Sequence, residues 1–257
     1  MKYPEDFLNK VIQGDCLEVM KQLPDKCIDL VVTSPPYDGL RDYNGYSFDF
    51  EGTASELFRV IKDGGIVVWV VGDSVIDGSE SGTSFKQALF FKEIGFNLYD
   101  TMIWRKPNAM PQINRERYTQ SFEYMFVLSK VKPRTTNIGE EKTKFAGKIL
   151  KTFTTNPESI RKQNKNKPTK DFKLKQNIWD IKVFGTNYGH PAIFPEELAA
   201  NHIKSWSNEG DIVLDPFNGS GTTTKMAKQL NRKYIGIEIS EKYCKIANDR
   251  LRQDILL

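Results

Sequence analysis

The strongest constraint on the fold is an alternation. Seven short runs rich in apolar and β-branched residues recur along the 257 residues, at 11–12, 28–32, 66–71, 98–104, 122–128, 212–214 and 234–239. They are strand-length, and they read as strands buried on both faces, as in a parallel sheet. Helical patterns lie between many of them. Residues 55–62 place Leu57, Phe58 and Ile61 on one face, and 84–93 do the same with Phe85, Ala88, Leu89 and the stem of Lys92. Pro195 opens a helix running towards Trp206, because proline suits the first helical turn. Helices over 222–230 and 241–251 follow. Strands alternating with helices predict an α/β fold with a doubly wound sheet and helices on both faces.

The alternation stops near Lys130. From Lys130 to Lys175 there are fourteen Lys or Arg against four Asp or Glu, a local balance of +10 in a chain of net charge +4, so the rest carries −6. This stretch has Pro133, Pro157 and Pro168 and little apolar periodicity, which marks an insertion outside the sheet. The expected division is 1–129 with 178–257 as one domain and 130–177 as the insertion. A basic segment on a mildly acidic body suggests one place where a polyanion binds; a solvated, lysine-rich loop has the same composition.

Other bulk features narrow the class. The longest apolar run, 66–71, is far short of a membrane span, and the first residues lack the apolar stretch of a signal peptide. A cytoplasmic protein with no membrane partner is expected. The three cysteines, Cys16, Cys27 and Cys244, are isolated and odd in number, which fits a reduced compartment. Two histidines argue against a His-rich metal site.

Two segments carry chemistry. In 212–224 an apolar strand ends at Asp215, Gly219-Ser220-Gly221 makes a tight turn, and a helix starts near Thr222. Glycine lets backbone come within contact distance of a ligand, and a helix start offers unpaired N–H groups. Asp215 can receive an ammonium, so the combination suits a zwitterionic amino-acid ligand better than a pyrophosphate. The lysine of a P-loop and the dinucleotide glycine spacing are both missing. Glu238 ends the next strand, 23 residues beyond Asp215, where an acid commonly binds ribose hydroxyls. Alone, either carboxylate is as well explained as a helix cap or a solvated strand end.

The second segment is Thr33-Ser34-Pro35-Pro36-Tyr37, which leaves the carboxyl end of the 28–32 strand. Consecutive prolines fix two φ values and bias the residue before them to extended geometry, so the loop is rigid. By itself it could be a strand-terminating turn. A base amino group is a poor nucleophile, because its lone pair is delocalised into the ring. Two acceptors gripping its N–H bonds favour the pyramidal nitrogen that attacks an electrophilic methyl. The Ser34 hydroxyl and the Pro35 carbonyl can be those acceptors, and Tyr37 can stack on the base. Such a base must leave the duplex. No cysteine is placed for covalent attack on cytosine C6.

These residues resemble the permuted β class of amino-methylating DNA methyltransferases. There a Ser/Asp-Pro-Pro-Tyr motif precedes an Asp-Pro-Phe-x-Gly-Ser-Gly-Thr motif, with the target-recognition region between them. The order here is the same, and the likeness covers nearly the whole chain apart from about 130–177. It implies a mostly parallel, Rossmann-like, seven-stranded methyltransferase sheet with an inserted basic target-recognition region. It implies S-adenosyl-L-methionine as cofactor and DNA as substrate, a cognate restriction endonuclease as a partner some members have, and a monomer or homodimer. It carries catalytic roles to Ser34, Pro35, Pro36 and Tyr37. Cofactor contacts fall to Asp15, Cys16, His190, Pro191, Asp215, Phe217, Gly219, Ser220, Gly221, Thr222 and Glu238, with Asp15 on the adenine amino group. The 104–111 segment, starting at Trp104, resembles the motif flanking the target-base pocket, although Trp104 could equally be core.

Ser34 in place of Asp resembles the cytosine-N4 branch more than the adenine-N6 branch; both residues accept from an amino group, so adenine stays open. An RNA or protein-glutamine methyltransferase usually places the glycine motif first. A non-catalytic nucleic-acid-binding module would have lost Ser34, Asp215 or the glycine turn. A dinucleotide oxidoreductase would need the absent glycine spacing.

Overall fold

The structure is a computed structural model that describes residues 1–36, 48–111, 117–144, 146–148, 168–183 and 195–253. Its elements in chain order are β1 (Lys10–Gln13), α1 (Cys16–Met20), β2 (Ile28–Thr33), α2 (Phe50–Val60), β3 (Ile61–Val71), β4 (Val75–Ile76), β5 (Ser79–Glu80), α3 (Thr83–Glu93), β6 (Asn97–Arg105), β7 (Phe122–Ser129), β8 (Glu140–Lys142), β9 (Phe172–Leu174), β10 (Ile178–Asp180), α4 (Glu196–Trp206), β11 (Ile212–Asp215), α5 (Thr222–Gln229), β12 (Lys233–Glu238) and α6 (Glu241–Arg252).

The described residues form two compact units: residues 1–137 with 177–257, and residues 138–176. The first contains an eight-stranded sheet in the order β1-β12-β11-β2-β3-β7-β6-β10. All seven runs predicted as strands are in it, and β10 adds an eighth at the edge, parallel to β6. One expectation needs correcting. The 98–104 and 122–128 runs are not both parallel to their neighbours, because β7 runs antiparallel to β3 and to β6. The described residues joining β6 to β7, 106–111 and 117–121, form no helix. A parallel pair needs a crossover, whereas an antiparallel neighbour can be reached directly.

Successive side chains of β3 alternate between two apolar layers. Val67, Trp69 and Val71 join Leu57 of α2 and Phe91 of α3 on one face. Ile66, Val68 and Val70 join Leu198 and Ile203 of α4 and Ala227 of α5 on the other. Residues of period two buried on both sides are what helices on both faces require.

Two helices differ from expectation. α2 starts at Phe50 rather than 55, because the Asp49 side chain accepts from the Gly52 N–H and caps it. Ile61 and Lys62 then belong to β3. The face of α3 is also corrected. Phe85 is 52% and Leu89 64% exposed, while Ser84, Gln87, Ala88 and Phe91 are buried. Polar bonds decide this. Gln87 Oε1 accepts from Trp69 Nε1 at 2.8 Å, and Ser84 donates to Asp73. A buried indole N–H left unpaired costs on the order of 1–3 kcal/mol, enough to offset exposing two apolar side chains partway.

The second unit, residues 138–176, pairs β8 with β9 antiparallel, and no described residue in it is buried. Among the described residues of the whole chain, no helix is long and apolar enough to cross a membrane, and no group of three or more His, Cys, Asp or Glu could hold a metal ion.

Candidate active site

Register brings the two chemical segments to one edge of the sheet. Gln13 pairs with Glu238, Asp215 with Gly236, Leu214 with Val31, and Thr33 with Trp69. The carboxyl ends of β1, β12, β11, β2 and β3 therefore lie side by side. From β11 the chain moves outward to β12, and from β2 it moves the opposite way to β3. That reversal between β11 and β2 is the switch point at which open α/β sheets bind ligands.

Asp215 sits at this point, 1% exposed. Its Oδ1 accepts from Thr33 Oγ1 at 2.7 Å and from the Phe217 N–H at 3.1 Å. Burial pushes its carboxyl up to about 6, against the Thr33 and Thr223 hydroxyls and the Phe217 N–H, which favour ionisation. Among the described residues no basic side chain forms an ion pair with it. Thr223 Oγ1 in turn donates to the Val32 carbonyl at 3.0 Å. The glycine turn and the proline loop, 182 residues apart at the Thr33–Asp215 bond, are thus cross-linked twice.

The turn itself needs glycine. Gly219 has φ +50° and Gly221 φ +84°, and a Cβ on Gly221 would stand 2.8 Å from the Ala247 Cβ on α6. Gly221 precedes α5 without any side-chain cap, so the first N–H groups of that helix face the crevice end of β11. Ser220 and Thr222 are buried, and both accept from Arg250.

Glu238 braces the same turn. Its Oε2 accepts from the Gly219 N–H and its Oε1 from the Ser240 N–H, both at 2.8 Å. Burial raises its carboxyl, while those backbone bonds oppose the shift. Each carboxylate oxygen keeps a second lone pair for another donor. Asp15 caps α1, its Oδ1 accepting from the Leu17 and Glu18 N–H groups at 2.9 and 3.2 Å. The Cys16 thiol is buried and lies 3.8 Å from Thr53 Oγ1, and burial pushes it up to about 11. Phe217 packs edge-on against Phe48 and Trp69, with ring centroids 5.2 and 6.2 Å away.

On the β2 side, Ser34 is half-buried, Pro35 buried and Pro36 half-buried. Tyr37, His190 and Pro191 lie outside the described residues. Trp104 is core: it is 3% exposed and donates through Nε1 to the Ile181 carbonyl at 2.8 Å. Lys106, two residues on, covers its ring at 4.6 Å and pairs with Glu123 at the start of β7. Sequence reasoning missed Arg250, Glu196 and the linking role of Thr33. Arg250 carries no local signal, since an arginine late in an amphipathic helix reads as solvated charge.

A glycine turn and a buried carboxylate at the switch point of a doubly wound sheet, facing a rigid hydroxyl-bearing loop, define a Rossmann-like methyltransferase. The model of the N6/N4 methyltransferase family, described as DNA methylase, matches residues 28–249, and the chain belongs to that family. It is 54% identical over 249 residues to the orphan methyltransferase M.BamHII of Bacillus amyloliquefaciens, across 92% of this chain and 93% of that one. Among solved structures, TTHA0409 of Thermus thermophilus complexed with S-adenosyl-L-methionine is 26% identical, with a TM-score of 0.66 over 94% of this chain and 92% of that one. The cytosine-N4-specific PvuII DNA methyltransferase shares the fold, with a TM-score of 0.71 at 21% identity over 96% of this chain and 87% of that one. The protein is an S-adenosylmethionine-dependent DNA methyltransferase of the N4/N6 family.

Proposed function

We propose that this enzyme methylates the exocyclic N4 of cytosine in a base turned out of the duplex, with residues 34–37 as its catalytic loop. The observation that carries the reading is the Thr33–Asp215 bond at 2.7 Å, which fastens the proline loop to the buried carboxylate beside the glycine turn. The residues fit the cofactor. Asp215 is buried, hydrogen-bonded and without a cation among the described residues, which suits the α-ammonium of S-adenosylmethionine. The 219–221 turn and the start of α5 suit its carboxylate, Glu238 its ribose and Asp15 its adenine amino group, with Cys16, Phe217, His190 and Pro191 completing the surroundings. When bound, the cofactor supplies an electrophilic methyl group on a sulfonium.

The chain's own residues do the rest. Ser34 Oγ and the Pro35 carbonyl accept the two amino N–H bonds of the base. They draw the nitrogen towards pyramidal geometry and stabilise the charge that develops on it. Pro35 and Pro36 hold those acceptors without rearrangement, and Tyr37 stacks on the base. Serine rather than aspartate at position 34 supports cytosine. A cognate restriction endonuclease remains part of the proposal as a candidate partner; one relative is named an orphan methyltransferase and others type II methyltransferases.

Residues 130–177 are proposed as the target-recognition region, their lysines meeting DNA phosphates. DNA affinity is then expected to fall steeply as salt rises, since each phosphate contact releases a counterion. A flat salt response would place the DNA elsewhere. Mass spectrometry of nucleosides from DNA treated with enzyme and labelled cofactor tests the central reading. N4-methylcytosine supports it, and N6-methyladenine as the sole product would overturn it.

A further inference from the structure

α6 lies against the glycine turn along one face. Cys244, Ala247 and Arg250 are three residues apart in succession, and all are buried. Cys244 Sγ donates to the Glu238 carbonyl at 3.4 Å. Ala247 fills the space in which a Cβ on Gly221 would stand. Arg250 is 3% exposed, so its buried charge depends on the partners that Nη1 and Nη2 reach. Its Nη1 donates to the Ser220 carbonyl at 2.7 Å, to Ser220 Oγ at 2.9 Å and to Thr222 Oγ1 at 3.3 Å. Its Nη2 donates to Glu196 Oε1 at 2.7 Å, and Lys225 Nζ from α5 reaches the same oxygen at 2.7 Å. Glu196 is the first residue of α4 and directly follows the 189–195 segment.

We propose that Arg250 is a positioning residue for methyl-donor binding. It sets the shape of the 219–221 turn through Ser220 and Thr222 and fastens that turn to Glu196 at the head of α4. This rests on the assignment of the glycine turn to the cofactor.

The planar fork of arginine explains the choice of residue. One guanidinium spans two separate nitrogens, Nη1 shared among the Ser220 and Thr222 acceptors and Nη2 on Glu196, a fork that a single lysine ammonium cannot reproduce. The turn has two glycines at positive φ and little conformational preference of its own. Its geometry must therefore come from outside: Glu238 holds the Gly219 N–H and Arg250 holds the Ser220 carbonyl.

The test uses the full chain with Arg250→Lys, Arg250→Met, Glu196→Gln and the Lys/Gln double variant. S-adenosylmethionine binding is measured by calorimetry, transfer by steady-state kinetics, and folding by circular dichroism. Arg250→Lys is expected to raise Kd and KM for the cofactor about tenfold, the scale of one charge-assisted hydrogen bond, with kcat at saturating cofactor changed far less. Glu196→Gln should move Kd in the same direction by less, and the double variant should add little to Arg250→Lys, because the two side chains act as one unit. If Arg250→Met does not fold, Arg250→Lys decides alone. An unchanged Kd in folded Arg250→Lys, with or without a lower melting temperature, overturns the positioning role while leaving the cofactor site intact, provided Asp215→Ala abolishes binding. Unimpaired binding by Asp215→Ala overturns the site assignment and this proposal with it.

Discussion

The two sides of the crevice are built differently. At the ends of β12 and β11 the buried groups are charged or polar and bonded to one another: Glu238 to the glycine turn, Asp215 to Thr33, Arg250 to Ser220 and Glu196. At the end of β2 the loop is held by two prolines, and Trp69, paired with Thr33 in the sheet, stacks on Phe48. In the proposed site a polar network fixes positions for the same charged ligand in every turnover, because existing bonds aim Asp215 and Glu238 while lone pairs on both stay available. In the proposed mechanism the proline loop fixes two acceptors for a base that comes and goes. Thr33 belongs to both, since it starts the loop and bonds the carboxylate.

If the two sides divide the labour in this way, substitutions should separate binding from chemistry. The largest effect is expected from Asp215→Ala, which should abolish S-adenosylmethionine binding in calorimetry; retained affinity would break the comparison at its donor side. Next is Ser34→Ala, which should bind cofactor normally while kcat falls about 10²–10³-fold, the usual scale for one lost transition-state donor or acceptor. Full turnover would remove the hydroxyl from the acceptor side.

A smaller effect follows from Asp215 titration. The carboxyl stands near 6 through burial, and in the proposed site it is the ionised form that holds the cofactor ammonium. At pH 5 about a tenth is ionised in the unbound protein, so cofactor Kd should drop about tenfold between pH 5 and pH 7. Asp215→Asn should flatten that profile, and an equal profile in both proteins would sink the assignment. Unbound stability should move the other way. The folded value lies above the ordinary 3.8, so folded protein holds a proton that unfolded chain releases, and stability is lost as pH rises from about 4 through 6.

The smallest effect sharpens the join between the sides. Thr33→Val keeps the shape and removes the bond to Asp215, and it should cost several-fold in kcat/KM, with Thr33→Ser restoring most of it. Failure of Ser to rescue would mean that the methyl packing of Thr33 matters and its hydroxyl does not.

The amino-acid sequence alone determined which runs are strands, because apolar, β-branched stretches between helical periods have one economical arrangement. It also determined the glycine turn after Asp215 and the order of the two chemical segments, since both are local patterns. Tertiary structure decided the rest. The reversed direction of β7 depends on how the 106–121 connection travels, which periodicity does not encode. The buried face of α3 was chosen by the Trp69–Gln87 and Ser84–Asp73 bonds between separate elements. Cys16 turned its thiol to Thr53, and Trp104 went into the core. The Thr33–Asp215 bond that joins the two sides of the crevice across 182 residues, and the Arg250–Ser220 bond within one side across 30, have no signature in either segment. A hydrogen bond between distant residues exists only once packing has brought its donor within about 3 Å of its acceptor.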